Sequence, residues 1–132
     1  MTDKELMLAA EEARKHSYSP YSGFAVGAAL LCGSGKVYTG CNIENASFSP
    51  TVCAERVAFF TAVNAGEKAF KSIAVAGGRA NEKPQPLCPP CGVCRQVMSE
   101  FCDKNFEILI GSSENFEVHT LGDLLPLGFD LK

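Results

Sequence analysis

The sequence predicts a three-layer α/β/α fold with a five-stranded mixed sheet, as a single domain over residues 1–132. Three observations predict it. Segments of helical and strand period alternate along the chain, so strands are joined through helices that pack on a sheet. Ser72-Ile73-Ala74-Val75-Ala76 is a nearly continuous apolar run, the pattern of a strand covered on both faces. Two alternating segments are joined by the short turn Cys32-Gly33-Ser34-Gly35-Lys36, which makes them an antiparallel hairpin.

Residues 2 to about 16 read as an amphipathic helix. Thr2 and Glu5 have capping-box spacing, in which each side chain satisfies a free backbone N–H. Leu6, Ala9, Ala10 and Ala13 recur at helical spacing, and Ser19-Pro20-Tyr21-Ser22-Gly23 ends the segment. Phe24, Val26, Ala28 and Leu30 alternate with smaller residues as the first hairpin strand, and Val37 to Ile43 is the second. Glu44 to Thr51 has no clear period and reads as a loop. Cys53 to Asn64 is helical, with Val57, Phe60, Thr61 and Val63 as its apparent apolar face, and Gly66 suits the position that ends it. After the 72–76 strand, 77–90 is a loop that gathers its prolines at its end. Gly92 to Phe101 is a third helix and Phe106 to Ile110 a fourth strand. Phe116 to Thr120 reads as an edge strand, and Gly122 to Leu125 as a short helix stopped by Pro126. Helical crossovers place parallel neighbours in the middle of the sheet.

The composition, 46% hydrophobic and 20% charged, is that of an ordinary globular protein. A net charge of −3 without basic clusters argues against nucleic-acid binding. The start Thr2-Asp3-Lys4-Glu5 is unlike a signal peptide, and no apolar run approaches membrane-span length. Seven cysteines, an odd count, read as reduced thiols in the cytoplasm rather than as a disulfide framework.

The chemistry concentrates in two places. Leu87-Cys88-Pro89-Pro90-Cys91-Gly92-Val93-Cys94-Arg95-Gln96 holds two overlapping C-x-x-C spacings, and Cys53-Ala54-Glu55 opens the second helix. Cys53 and Cys91 both stand at helix starts, where backbone N–H groups and the macrodipole stabilise a thiolate. Two such starts lie near one sheet edge, so Cys53 is expected to meet the cysteine pair. Three thiolates and a water make an open, catalytic tetrahedral zinc site; adding Cys88 would close it into a structural one. Pro89 and Pro90 lack the N–H groups that support a thiolate turn, which favours Cys91 and Cys94 as ligands and leaves Cys88 spare. Glu55, beside the metal, is placed to accept a proton from water and pass it to a substrate nitrogen. The plainer role for Glu55 is to complement the helix N-terminus.

These motifs resemble the zinc nucleobase deaminases, in which a Cys-x-Glu element is followed by Pro-Cys-x-x-Cys. The likeness is closest to the short, homotetrameric cytidine deaminases of pyrimidine salvage and covers almost the whole chain. Ser19 to Leu30 looks like the first-strand signature of that family, Gly40 to Ser47 like its ribose-binding strip, and Leu124-Leu125-Pro126 with Phe129 like its C-terminus. The resemblance implies hydrolytic deamination of cytidine and deoxycytidine at one Zn2+ per chain. Water activated by the metal adds at C4 of cytosine. Glu55 takes the water proton, protonates N3 and helps ammonia leave. Asn42 and Glu44 would hold the ribose hydroxyls, Phe24 would stack near the base or sugar, and the Ala54 backbone would read the base. Ala46, Phe48 and Phe129 join the substrate-binding set, with Phe129 reaching a neighbouring subunit's site. Arg56 would donate hydrogen bonds to a ligand sulfur and offset the excess thiolate charge. Arg95 either shares that role or sits in a surface ion pair, and His16 and His119 are surface or strand residues. Phe48 departs from the family's frequent tyrosine and loses a hydroxyl.

Three other readings stand beside this one. A deaminase of a related aminopyrimidine nucleoside such as blasticidin S is opposed by the Asn42-Ile43-Glu44 strip. A polynucleotide deaminase is opposed by the acidic balance and the lack of a basic or aromatic strip. A non-catalytic zinc module held by Cys53, Cys88, Cys91 and Cys94 gives Glu55 no role.

Overall fold

The structure, a computed structural model, describes residues 1–132. Its elements are α1 Asp3–Arg14, β1 Phe24–Cys32, β2 Val37–Cys41, α2 Ala54–Asn64, β3 Phe70–Arg79, α3 Gly92–Phe101, β4 Glu107–Gly111, β5 Phe116–Thr120 and α4 Leu121–Leu124. The five strands form one sheet in the order β2-β1-β3-β4-β5. Only β3 and β4 are parallel neighbours; β1 pairs antiparallel with both β2 and β3, and β5 antiparallel with β4.

The three layers follow from strand alternation. Ala28, Leu30, Ile73, Val75, Ile108 and Ile110 share a face and pack with Ala58, Phe59, Ala62 and Met98 of α2 and α3. The intervening Ala29, Ala74, Ala76 and Leu109 face the other way, onto Leu6, Met7 and Ala10 of α1. Successive side chains of a strand point to opposite faces, so each central strand feeds both cores. The expected capping box closes the start of α1: the Glu5 N–H donates to Thr2 Oγ1 at 3.1 Å, and the Thr2 N–H to Glu5 Oε1 at 2.9 Å.

Three expectations need correction. The buried face of α2 is Ala54, Glu55, Ala58, Phe59 and Ala62, while Phe60, Thr61 and Val63 point outward. The strand in the 72–76 region is longer than its apolar run, spanning Phe70–Arg79 because its glycine end still pairs with the start of β1. The second hairpin strand ends at Cys41, and Ile43 continues only as isolated bridges to Tyr18 and Val52.

β2 and β3 are both antiparallel to β1 and therefore run the same way. Their following helices lie on one face and start at one edge of the sheet. That geometry brings Cys53 and Cys91 together.

Candidate metal centre and active site

Cys53 and Cys91 are the N-cap residues of α2 and α3, each in extended backbone conformation with no side-chain capping bond. Both sulfurs are thus free to point away from their helices. Cys94 lies one turn into α3 and is buried. The Sγ atoms of Cys53 and Cys91 are 3.8 Å apart and those of Cys91 and Cys94 3.6 Å, and all three lie within 4.8 Å of one another. Tetrahedral zinc with Zn–S bonds of about 2.3 Å needs sulfurs about 3.8 Å apart. The donor set therefore fits a zinc ion in both softness and spacing, and Cys88 is outside it.

Electrostatics suit a cation. Hydrogen bonding with Cys94, aided by Arg56, pulls the Cys53 thiol down to about 5, and the same pairing raises Cys94. Arg56 Nη2 donates to Cys53 Sγ at 3.3 Å. Arg95 makes no ion pair and does not reach a sulfur: its Nε donates to the Pro90 carbonyl and its Nη1 to that of Leu124, each at 2.7 Å. It fixes the chain entering α3 rather than the metal ligands themselves.

Glu55 is 4% exposed, and burial pushes its carboxyl up to about 7. A carboxyl held near neutrality can both take and give a proton. It lines a cleft of about 360 Å³ together with Phe24, Asn42, Glu44, Cys53 and Ala54. With Cys91, seven of the residues expected at the site are thus gathered in one cavity. Larger cavities, of about 470 and 500 Å³, lie away from Cys53, Cys91 and Cys94.

Asn42 and Glu44 are held firmly. Asn42 Oδ1 accepts from the Val26 N–H at 2.9 Å and from the Ser17 hydroxyl, while Nδ2 donates to the Phe24 carbonyl at 2.8 Å. Glu44 Oε1 accepts from the N–H groups of Tyr21 and Ser22 at 3.0 and 3.1 Å, and Oε2 from the Ser22 hydroxyl. The Ser22 hydroxyl is the main cause that lowers the Glu44 carboxyl below its ordinary range. Both side chains brace the 17–26 segment, and each keeps hydrogen-bonding capacity to spare.

Three expected residues lie elsewhere. Ala46 and Phe48 are in the exposed loop before Val52, with Phe48 76% exposed and at a positive φ of 56°. Phe48 lines a neighbouring cavity with Tyr21, Glu44 and Thr51. Phe129 is exposed beside Cys102 and Leu125, and its carbonyl accepts from Gln96 Nε2 at 3.3 Å. Conversely, Ser22, Val26, Val52 and Cys88 line the cleft without having been singled out for it. Ser22 lies inside the Ser19–Gly23 segment, but its bond to Glu44 has no signature in spacing. His16 is exposed, and His119 in β5 pairs with Glu117 at 2.8 Å.

Residues 1–110 match the family described as "Cytidine and deoxycytidylate deaminase zinc-binding region". The chain is 44% identical over 130 residues to a cytidine deaminase of Sporosarcina psychrophila, covering 98% of this chain and 92% of that protein. It is 42% identical to one of Halalkalibacterium halodurans, over 96% of this chain and 94% of the relative. The crystal structure of cytidine deaminase from Burkholderia pseudomallei superposes with a TM-score of 0.88 at 45% identity, covering 98% of this chain and all, 100%, of that one. A zinc-compatible thiol trio beside a buried glutamate, on a fold shared along nearly its full length with these relatives, places the chain in the cytidine and deoxycytidylate deaminase family.

Proposed function

We propose that this chain is a zinc-dependent cytidine deaminase that converts cytidine and deoxycytidine to uridine and deoxyuridine and releases ammonia. The observation that carries the reading is the meeting of Cys53, Cys91 and Cys94 in one cluster, with Glu55 in the adjoining cleft. Zinc bound there supplies the Lewis acidity that makes water nucleophilic near neutral pH. Glu55 then moves the protons: it accepts one from the attacking water and delivers it to N3 of cytosine, then takes the second from the new C4 hydroxyl and gives it to the departing amine, so that ammonia leaves as C4 becomes a carbonyl. Arg56 donates to Cys53 Sγ and offsets part of the thiolate charge. Asn42 and Glu44 bind the ribose hydroxyls, Phe24 packs on the nucleoside, and the Ala54 backbone reads the base.

The working unit in this reading is a cytoplasmic homotetramer serving pyrimidine salvage, with one zinc per chain. Phe48 and Phe129, exposed in the single chain, complete neighbouring subunits' sites. No helix is long and apolar enough to cross a membrane, and the net charge of −3 does not favour a nucleic-acid partner.

The test measures zinc per chain and ammonia release from cytidine, deoxycytidine and blasticidin S. Zinc-loaded wild type is expected to turn over the nucleosides. Glu55→Gln is expected to keep its zinc and lose turnover by about 10²–10⁴-fold. Zinc-loaded wild type that is inert toward cytidine overturns the reading.

A further inference from the structure

Cys88 is left over from the metal cluster, yet it lines the cleft beside Glu55 and Cys91. Burial pushes its thiol up to about 11, so it stands there as a neutral, weakly polar group. Its seat is the glycine end of β3. A Cβ on Gly77 would lie 2.4 Å from Cys88 Sγ and 3.2 Å from Cε1 of Phe24. The thiol and the ring therefore both lie over a stretch of backbone that carries no side chain.

The bare stretch continues at Gly78, where a Cβ would lie 2.9 Å from the Lys83 carbonyl oxygen and 3.1 Å from Arg14 Nη2. After Arg79 the chain folds back over these two glycines, and the Gln85 N–H donates to the Gly77 carbonyl at 2.7 Å. Arg14, the last residue of α1, ties this fold-back down. Its Nε donates to the Ala25 carbonyl at 2.8 Å, its Nη1 to that of Glu82 at 2.8 Å and its Nη2 to that of Arg79 at 2.6 Å. One guanidinium thus joins the start of β1, which carries Phe24, to the loop that leads to Cys88. A planar fork with several fixed donors suits three carbonyls at once, as an ammonium does not.

We propose that Cys88 is a wall of the nucleoside cleft that backs Phe24 and sets the fit of the substrate, and that Arg14 is the positioning residue that holds this wall through the folded-back loop. The proposal deepens the deaminase reading and rests on it. A side chain that shapes the bound substrate without moving protons acts on binding more than on the chemical step.

The experiment is steady-state kinetics on zinc-loaded protein with cytidine as the probe. Cys88→Ala is expected to keep one zinc per chain and to raise KM about fivefold, with kcat within about twofold of wild type. Arg14→Gln is expected to raise KM in the same way, and Arg14→Lys to recover only part of the loss. Because both act on one wall, the double variant Arg14→Gln/Cys88→Ala is expected to fall short of the product of the single effects. Gly77→Ala should raise KM in the wild-type background and do so less with Cys88→Ala, since the sulfur it collides with is then gone. If Arg14→Gln does not fold, the Gly77 and Cys88 pair decides. Loss of zinc from Cys88→Ala would make Cys88 a ligand and overturn the proposal. So would an unchanged KM in Cys88→Ala, or independent effects at Gly77 and Cys88. Absence of turnover by zinc-loaded wild type is a different result and strikes the deaminase reading itself.

Discussion

At the scale of the residue, Arg56 stands against the thiol cluster in which the proposed zinc would sit. Three thiolates overcompensate its charge, which blunts its power to acidify water. Arg56 answers with an N–H directed at Cys53 Sγ, 3.3 Å away. Its Nε is buried without a partner, so the side chain is held in place at some desolvation cost. Partners of this kind are worth about 10–100-fold in metal affinity or activity. Arg56→Ala is therefore expected to lose zinc faster to a chelator and to turn over more slowly, by about that factor. Zinc retention and rate equal to wild type would remove Arg56 from the site. The cysteine cluster was legible in the sequence: Cys53 and Cys91 stand at two helix starts that the topology brings to one edge, and Pro89-Pro90 separates Cys88 from the group. Arg95 was not legible. It serves the carbonyls of Pro90 and Leu124, and backbone acceptors leave no trace in side-chain pattern.

At the scale of the element, the position of α2 matters more than its helicity, since its first turn carries Cys53 and Glu55. A Cβ on Gly40 would lie 2.4 Å from the Ala54 carbonyl oxygen and 2.7 Å from the Ala58 nitrogen. The helix backbone thus rests directly on β2. This explains why the apolar period misassigned the face of α2. A helix packed this closely buries alanines beside the single large ring of Phe59, and Phe60 and Val63 are left outside, where a count of bulky side chains mistakes them for the core. On the opposite face α1 sits on Gly27 in the same manner, where a Cβ would meet the Ala10 carbonyl oxygen and the Arg14 nitrogen. The two glycines make a matched pair. Gly40→Ala and Gly27→Ala are each expected to destabilise the fold, by about 1–3 kcal/mol, because backbone has to move. Gly40→Ala displaces the start of α2 and should also weaken zinc binding. Gly27→Ala should leave the metal affinity of the folded fraction nearer to wild type. Thermal melts with and without zinc separate the two, and equal zinc-dependent stabilisation in both variants would show that the seat of α2 does not govern the site.

At the scale of the whole molecule, the same inversion leaves apolar surface without cover. Phe60 is 48% and Val63 38% exposed on the outer face of α2, and Val93 at the start of α3 is 57% exposed. Phe48 and Phe129, expected in the substrate-binding set, are also exposed and outside the cleft of their own chain. The proposed homotetramer would account for these facts: in it a neighbouring copy would cover the helices and bring its own loops to the cleft. Large apolar side chains clustered on a surface mark association more often than chance exposure. The cleft itself, lined by Cys53, Glu55, Asn42 and Glu44, belongs to one chain, which is why its chemistry could be read from one sequence. The closure that the proposed tetramer would give it could not, because the pattern of a single chain does not say which outward residues would meet which partner. Phe60→Glu places a charge in the middle of the exposed α2 face, where burial between copies would be costly. Wild type is expected to sediment as a tetramer. Phe60→Glu should sediment as smaller species that keep zinc in the Cys53, Cys91 and Cys94 set but deaminate cytidine poorly, because the partner's loops are missing. A wild type that sediments as one chain and is fully active would refute the account. A tetrameric, fully active Phe60→Glu would move the interface away from the outer face of α2.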